Sequence, residues 1–185
     1  MTAAGFCEIK KLPAGTILRT SSEKAYFDGN NDLFMRLFRT INEKNLIAQL
    51  EAEDRPQAYR KMLEHLAAKD VMPKDLISSA EKALQIREEK MTTAMGGGFA
   101  IPHATIPKLK QLATLFARCP AGLDCQAMDG KPVKLFFLIL VPADQAQVHL
   151  QTLATVAKFF NRRGIKTKIL EAKGPAEILQ LFQAN

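Results

Sequence analysis

Long apolar runs are missing from this chain. None approaches the ~20 consecutive residues that a bilayer-spanning helix needs. The longest, Val133 to Pro142, is broken by Lys134 and reads as a buried strand. Nor does the N-terminus resemble a signal peptide. Met1 to Leu12 holds Glu8, Lys10 and Lys11 without a continuous apolar core, and Cys7 has no apolar run before it of the kind that precedes a lipidated cysteine. These absences exclude membrane insertion and point to the cytoplasm. Cysteine is equally scarce: Cys7, Cys119 and Cys125 form no close pair and leave an odd count, against a disulfide framework or a zinc site. They read as reduced thiols without chemistry, as expected in a reducing compartment. There is no internal repeat or low-complexity tract. The 185 residues are enough for one sizeable domain with its own core.

Charge is present in excess and unevenly placed. The formal net charge is +7, yet residues 1–34 hold four basic and four acidic side chains that cancel. The surplus lies downstream, most densely at Lys158, Arg162, Arg163, Lys166, Lys168 and Lys173, opposed by Glu171. Such a cluster suits nucleic acid or phosphate-bearing partners. Its only aromatic neighbours, Phe159 and Phe160, fit a helix core better than a stacking platform, so a solvated face is the simpler reading and nucleic acid is not favoured.

The first 32 residues read as an irregular extension. Pro13, Gly15, a Thr20-Ser21-Ser22 cluster and Asp28-Gly29-Asn30-Asn31 favour turns, and Met35 is an alternative start for the gene product. From 33 to 185 the pattern is regular. Leu46–Leu50 suggests a first strand. Asp54 is placed to cap a helix to about Lys69, with Pro56 tolerated in the first turn. A second helix is expected from about Pro73 to Glu88. Strands follow at Gln111–Arg118 and Val133–Val141, then a helix from His149 to Phe160, a strand at Lys166–Leu170 and a last helix opened by Pro175. Strands alternating with helices give an α/β chain.

Three features stand out against this frame. On the second helix Leu76, Ala80, Ala83 and Leu84 form an apolar stripe, and Arg87 falls within it, about 20° from Leu76 at ~100° per residue. A guanidinium on the buried side of a helix is costly without an anion or acceptor; the alternative is a side chain that turns outward or pairs with Glu88 or Glu89. Gly96, Gly97 and Gly98 follow, free to adopt backbone conformations that cradle an anion. They match neither the dinucleotide-binding nor the phosphate-loop pattern. Then comes Ile101-Pro102-His103, a restrained loop presenting an imidazole. Thr93, ahead of the glycines, offers a hydroxyl to a phosphate oxygen or a ring nitrogen. Of the other histidines, His65 lies mid-helix beside Leu63 and Leu66 and reads as structural or solvent-facing. His149, early in its helix, is able to meet His103 in one site. A third metal ligand is not evident, and no cofactor is indicated.

Arg87-Glu88, Thr93, Gly96 to Gly98 and Ala100-Ile101-Pro102-His103, continued by Asp129-Gly130-Lys131-Pro132-Val133 and His149-Leu150, resemble the active-site signature of the bacterial phosphotransferase-system EIIA type-2 domains. These are the fructose, mannitol and nitrogen-regulatory type. The resemblance covers roughly residues 35–185. It implies a mannitol-type EIIA fold: one domain with a mixed sheet of about five strands, helices on both sides and His103 at a sheet edge or loop. It implies that His103 accepts a phosphoryl group from the phosphocarrier HPr or its nitrogen-branch counterpart, that His149 is the second active-site histidine, that Arg87 stabilises the phosphohistidine and that Thr93 supplies the motif hydroxyl. The phosphoryl group then passes to a IIB domain, or its presence governs binding to regulatory targets. The nitrogen-type branch is favoured because no permease or IIB domain is fused to the chain. A phosphotransfer-independent module acting through the basic cluster is the alternative from another class. The chain departs from the family's pattern in that the glycine segment usually begins Thr-Gly, whereas here Ala94-Met95 follows Thr93, and Phe99 stands where a smaller aliphatic residue is common.

Overall fold

A computed structural model of the chain describes residues 37–184, the side chains of 146–149 excepted. The expected extension at 1–32 and the Met35 start lie outside the described residues. After a 3-10 turn at Glu43–Asn45 the elements run β1 (Leu46–Ile47), α1 (Arg55–Ala68), a 3-10 turn at Lys74–Leu76, α2 (Ile77–Lys90), β2 (Ala94–Gly96), β3 (Phe99–Ala100), β4 (His103–Ile106), β5 (Ala113–Leu123), β6 (Val133–Pro142), α3 (Ala146–Phe160), α4 (Ile165–Glu171) and α5 (Pro175–Gln183). The sheet has six strands in the order β1-β5-β6-β3-β2, with β4 also paired to β6. β1 runs parallel to β5 and β5 antiparallel to β6; β3 and β4 run parallel to β6, and β2 antiparallel to β3. The sheet is therefore mixed, as expected, with one strand more than the sequence suggested.

Strand β6 organises the molecule. Nine of its ten residues are buried, Lys134 being half-buried, because both faces are covered. Phe136, Leu138 and Leu140 enter a core built with α1 and α2. Leu135, Phe137, Ile139 and Val141 enter a second core with α3, α4 and α5. That is the near-continuous apolar run expected of a strand without a solvent face. The second core is strongly aromatic: Phe38 stacks on Phe182 with centroids 5.6 Å apart, and Phe99 on Phe160 at 4.0 Å. α1 starts where anticipated, the Asp54 side chain accepting from the Gln57 amide at 2.8 Å and Pro56 lying in the first turn.

One expectation fails. Lys166–Leu170 is not a strand but part of α4. Ile165 and Ile169, four apart, are both buried in the second core, which is the helical spacing. Gly164, at φ +78°, turns the chain into it. The alternation of Lys166 and Lys168 mimicked a strand only because both lie toward solvent. The first strand is also shorter than expected, ending at Ile47.

A buried cation closes this end of the helix layer. Arg118 on β5 is 6% exposed. Its Nε donates to the Ala48 carbonyl at 2.9 Å, and one terminal nitrogen donates to the carbonyls of Ile169, Leu170 and Ala172 at 3.0, 3.3 and 2.6 Å. The guanidinium thus satisfies the open carbonyls at the C-terminus of α4, where helix polarity favours positive charge. Replacing Arg118 with Leu leaves those carbonyls without their donor. We expect a loss of about 2–4 kcal/mol in urea unfolding; an unchanged midpoint would refute this role.

Candidate phosphoryl-acceptor site

His103 opens β4, opposite Ile139 of β6. Two hydrogen bonds engage its ring. Nδ1 lies 2.8 Å from the Ile101 carbonyl, which accepts only, so Nδ1 carries the proton. Nε2 accepts from Arg87 Nε at 3.0 Å. The ring is therefore neutral, with its lone pair on Nε2. Ile101 cannot turn away. Its amide donates to the Thr93 carbonyl at 3.1 Å, and Pro102 behind it restricts its backbone to the extended region.

Arg87 sits in the last turn of α2, half-buried in line with Leu84 and Ala80. It does not pair with Glu88 or Glu89. One terminal nitrogen donates to the Met91 carbonyl just past the helix at 2.9 Å, which leaves Nε aimed at the imidazole. A depression of about 300 Å³ opens beside the pair, lined by Ala83, Ile86, Arg87, Lys90, His103 and Thr105 among others. Lys90, one helical turn beyond Arg87, supplies a second cation there. The three-residue spacing from Arg87 is the signal in the sequence that points to it. Ile86 and Met91 are 46% and 70% exposed beside it.

The other expected site residues are placed differently. Thr93 is buried, and its hydroxyl donates to Glu88 at 2.7 Å. Glu88 is the residue that sequence reasoning missed. Although 7% exposed, it accepts at Oε1 from Arg55, the Thr92 hydroxyl and the Thr93 amide, at 3.3, 3.1 and 2.9 Å. At Oε2 it accepts from the Tyr59 and Thr93 hydroxyls, at 3.0 and 2.7 Å. Burial first, and the Glu88 charge second, push the Tyr59 phenol well above its ordinary range, so it stays a donor. Burial likewise pushes the neighbouring Cys125 thiol up to about 12, which leaves it unreactive. His149 lies in the first turn of α3; its side chain is outside the described residues.

The three glycines make a hairpin. Gly96 pairs with Phe99, which leaves Gly97 and Gly98 as a two-residue turn. Their φ values of +59° and +74° suit the primed turn that joins twisted strands. The Gly97 amide donates to Asp129 Oδ2 at 2.7 Å. Phe99 lies opposite Leu135 and His103 opposite Ile139, so about 13 Å of strand, at ~3.3 Å per residue, separates the turn from His103. The glycines do not cradle a group on His103. The basic cluster is at their end of the sheet: a Cβ on Gly97 would fall 2.6 Å from Lys166 Nζ, and Arg162 stacks over Phe159 at 5.6 Å. Among the described residues no three metal-ligating side chains converge, and no helix is long and apolar enough to cross a membrane.

The sequence model of the family described as "Phosphoenolpyruvate-dependent sugar phosphotransferase system, EIIA 2" matches residues 39–185. The chain belongs to this family. Within it, the chain is 38% identical over 141 residues to a nitrogen regulatory protein of Bradyrhizobium diazoefficiens, covering 74% of this chain and 88% of that one. It is 30% identical over 155 residues to the nitrogen regulatory protein of Escherichia coli K12, covering 83% and 93%. A fructose-specific EIIA component of Haloferax volcanii is 41% identical, but over 95 residues, 51% of this chain and 62% of that protein. The fold is shared with the nitrogen regulatory protein IIA-Ntr of Neisseria meningitidis, at TM-score 0.71 and 23% identity over 80% of this chain and 99% of that one. It is shared also with the mannitol IIA of Escherichia coli, at TM-score 0.65 and 17% identity over 77% and 99%. The chain is thus a phosphotransferase-system component of the EIIA type-2 family.

The Asp129–Gly97 bond gives a pH signature. The Gly97 amide, foremost, holds the exposed Asp129 carboxyl below the usual carboxylate range. A lowered carboxyl stabilises the fold above its unfolded pKa, and this contribution is lost as pH falls through the folded value. The Gly97 amide resonance should therefore titrate with a midpoint below that of a free aspartate, and Asp129→Asn should abolish the titration. A midpoint at or above the free value would contradict the bond.

Proposed function

We propose that the protein is a cytoplasmic phosphohistidine carrier whose acceptor atom is Nε2 of His103. The observation that carries the reading is the pair of bonds on that ring. Nδ1 keeps its proton on the Ile101 carbonyl, so Nε2 alone holds a lone pair, and a guanidinium stands 3.0 Å from it. The donor is an HPr-like phosphohistidine protein. The Nε2 pair forms a bond to phosphorus as the donor's nitrogen–phosphorus bond breaks, and that bond's electrons return to the donor ring. Transfer of this kind needs alignment and charge stabilisation more than covalent help. Arg87 must leave Nε2 as phosphorus arrives; its guanidinium then lies beside the phosphoryl oxygens, with Lys90 a turn away. His149 is assigned the second-histidine role from its matching position in the motif. Thr93 acts through Glu88 and the Ile101 amide rather than on the phosphoryl group.

The output is regulatory. The nitrogen regulatory proteins of Bradyrhizobium diazoefficiens and Escherichia coli align along 88% and 93% of their own length, and the fructose-specific relative of Haloferax volcanii along 62%. On this reading the phosphorylation state governs contacts with target proteins, and a IIB domain is not the obligatory acceptor.

The test is incubation with the upstream kinase, HPr and phosphoenolpyruvate. We expect one acid-labile phosphoryl group per chain, none on His103→Ala, and acceptance slowed about a hundredfold in Arg87→Ala. Equal labelling of His103→Ala would end the reading. Rapid onward transfer to a fructose-type IIB domain would replace the regulatory output with transport.

A further inference from the structure

We propose that Glu88 is the positioning residue of the acceptor, fixing which nitrogen of His103 is the nucleophile without touching the ring. This rests on the reading of His103 as the acceptor. The chain of bonds is continuous. Both oxygens of Glu88 hold Thr93, one through its amide at 2.9 Å and the other through its hydroxyl at 2.7 Å. The carbonyl of Thr93 receives the Ile101 amide at 3.1 Å. The carbonyl of Ile101 receives the Nδ1 proton of His103 at 2.8 Å. Each link fixes a peptide plane, so the direction of the last carbonyl is set by the first carboxylate.

The surroundings of Glu88 suit this work. The carboxylate is anchored independently of the site by α1, through Arg55 at 3.3 Å and Tyr59 at 3.0 Å. Thr92, the next donor, shares its one hydroxyl proton between Glu88 at 3.1 Å and the Cys125 carbonyl at 2.8 Å. The acceptor loop is thereby tied to the rigid helix pair and to the strand end rather than left as a free β2–β4 connection. Glu88 also directly follows Arg87 in the chain. One helical step thus delivers the group facing Nε2 and the group that governs Nδ1, to opposite sides of the same ring. Loss of the carboxylate frees Thr93, lets the Ile101 carbonyl rotate and allows the Nδ1 proton to move to Nε2, where it blocks the lone pair.

The experiment compares Glu88→Ala, Glu88→Gln and Thr93→Val in the full chain. Fold is checked by circular dichroism and thermal unfolding, and the His103 tautomer by nitrogen-15 NMR of the ring. Glutamine keeps an acceptor for the Thr93 amide, and its NH₂ faces hydroxyls that are able to turn and accept, so it should restore the Nδ1–H form and near-wild-type phosphoryl acceptance. Folded Glu88→Ala should show a mixed tautomer and acceptance reduced on the order of ten- to a hundredfold. Should alanine not fold, Thr93→Val decides, because it removes one of the two Thr93 bonds without changing shape; a mixed tautomer with slowed acceptance is expected. An unchanged ring tautomer in folded Glu88→Ala, or in Thr93→Val where alanine fails, overturns the proposal. The ring resonances report on positioning even if the wild-type chain accepts no phosphoryl group, so failure of the acceptor reading and failure of this one are distinguishable.

Discussion

Burial of β6 on both faces is the constraint from which the site's geometry descends. A strand with no solvent side cannot slip by one residue without exchanging its two cores, Phe136 and Leu138 for Phe137 and Ile139. Its register is therefore rigid. β4 is laid along it in parallel, so His103 is fixed opposite Ile139. α2 is fixed because Leu84 and Ala80 pack into the core that Phe136 and Leu138 share, and this brings Arg87 to the open edge of β4. α3 is fixed by the other core, through Val156, Phe159 and Phe160. His103, Arg87 and the helix bearing His149 come from three separate segments, and each takes its place from the same ten residues.

Among the described residues the two buried charges, Arg118 and Glu88, are each answered by several partners, whereas the buried Nε2 of His65 has none. Arg118 receives carbonyls alone, with helix polarity standing in for a counterion. Glu88 receives one guanidinium and four neutral donors. Full satisfaction makes such groups rigid as well as tolerable, since any departure from their geometry exposes an unmet donor or acceptor. Rigidity matters differently in the two places. At Arg118 it holds a short helix against the sheet edge. At Glu88 it is transmitted into the loop that presents the imidazole.

Sequence periodicity revealed β1, β5, β6 and the longer helices, but not β2, β3 and β4, which at three, two and four residues are too short to show a period. It failed at α4, where seven residues with two lysines toward solvent satisfy both periods. The place of Arg87 on the apolar stripe was legible because the energetic cost of a cation there is a local statement, readable from one helix. Thr93 and the glycines went to other partners because their roles depend on tertiary pairing. Nothing local says that the Thr93 hydroxyl meets Glu88, or that the Gly97 amide meets Asp129, 32 residues further on. Glu88 itself was written beside Arg87 in plain sight. As a charged residue in the last turn of a helix it reads as a solvated side chain, and only the fold brings Arg55, Tyr59 and Thr92 around it.

The resting ring has both nitrogens engaged, and that balance suits a carrier. With Nε2 held by Arg87 and Nδ1 by Ile101, the unloaded imidazole is neutral and oriented. On the proposed reading, arrival of a phosphoryl group at Nε2 displaces the bond from Arg87 and offers the same guanidinium several anionic oxygens in return, an interaction stronger than the one it gives up. The displacement leaves the second anchor of Arg87, its bond to the Met91 carbonyl, in place, so the side chain turns rather than leaves. The Nδ1 bond need not change at all. A site built in this way moves one side chain between its two states, and the peptide planes from Glu88 to Ile101 hold still while it does.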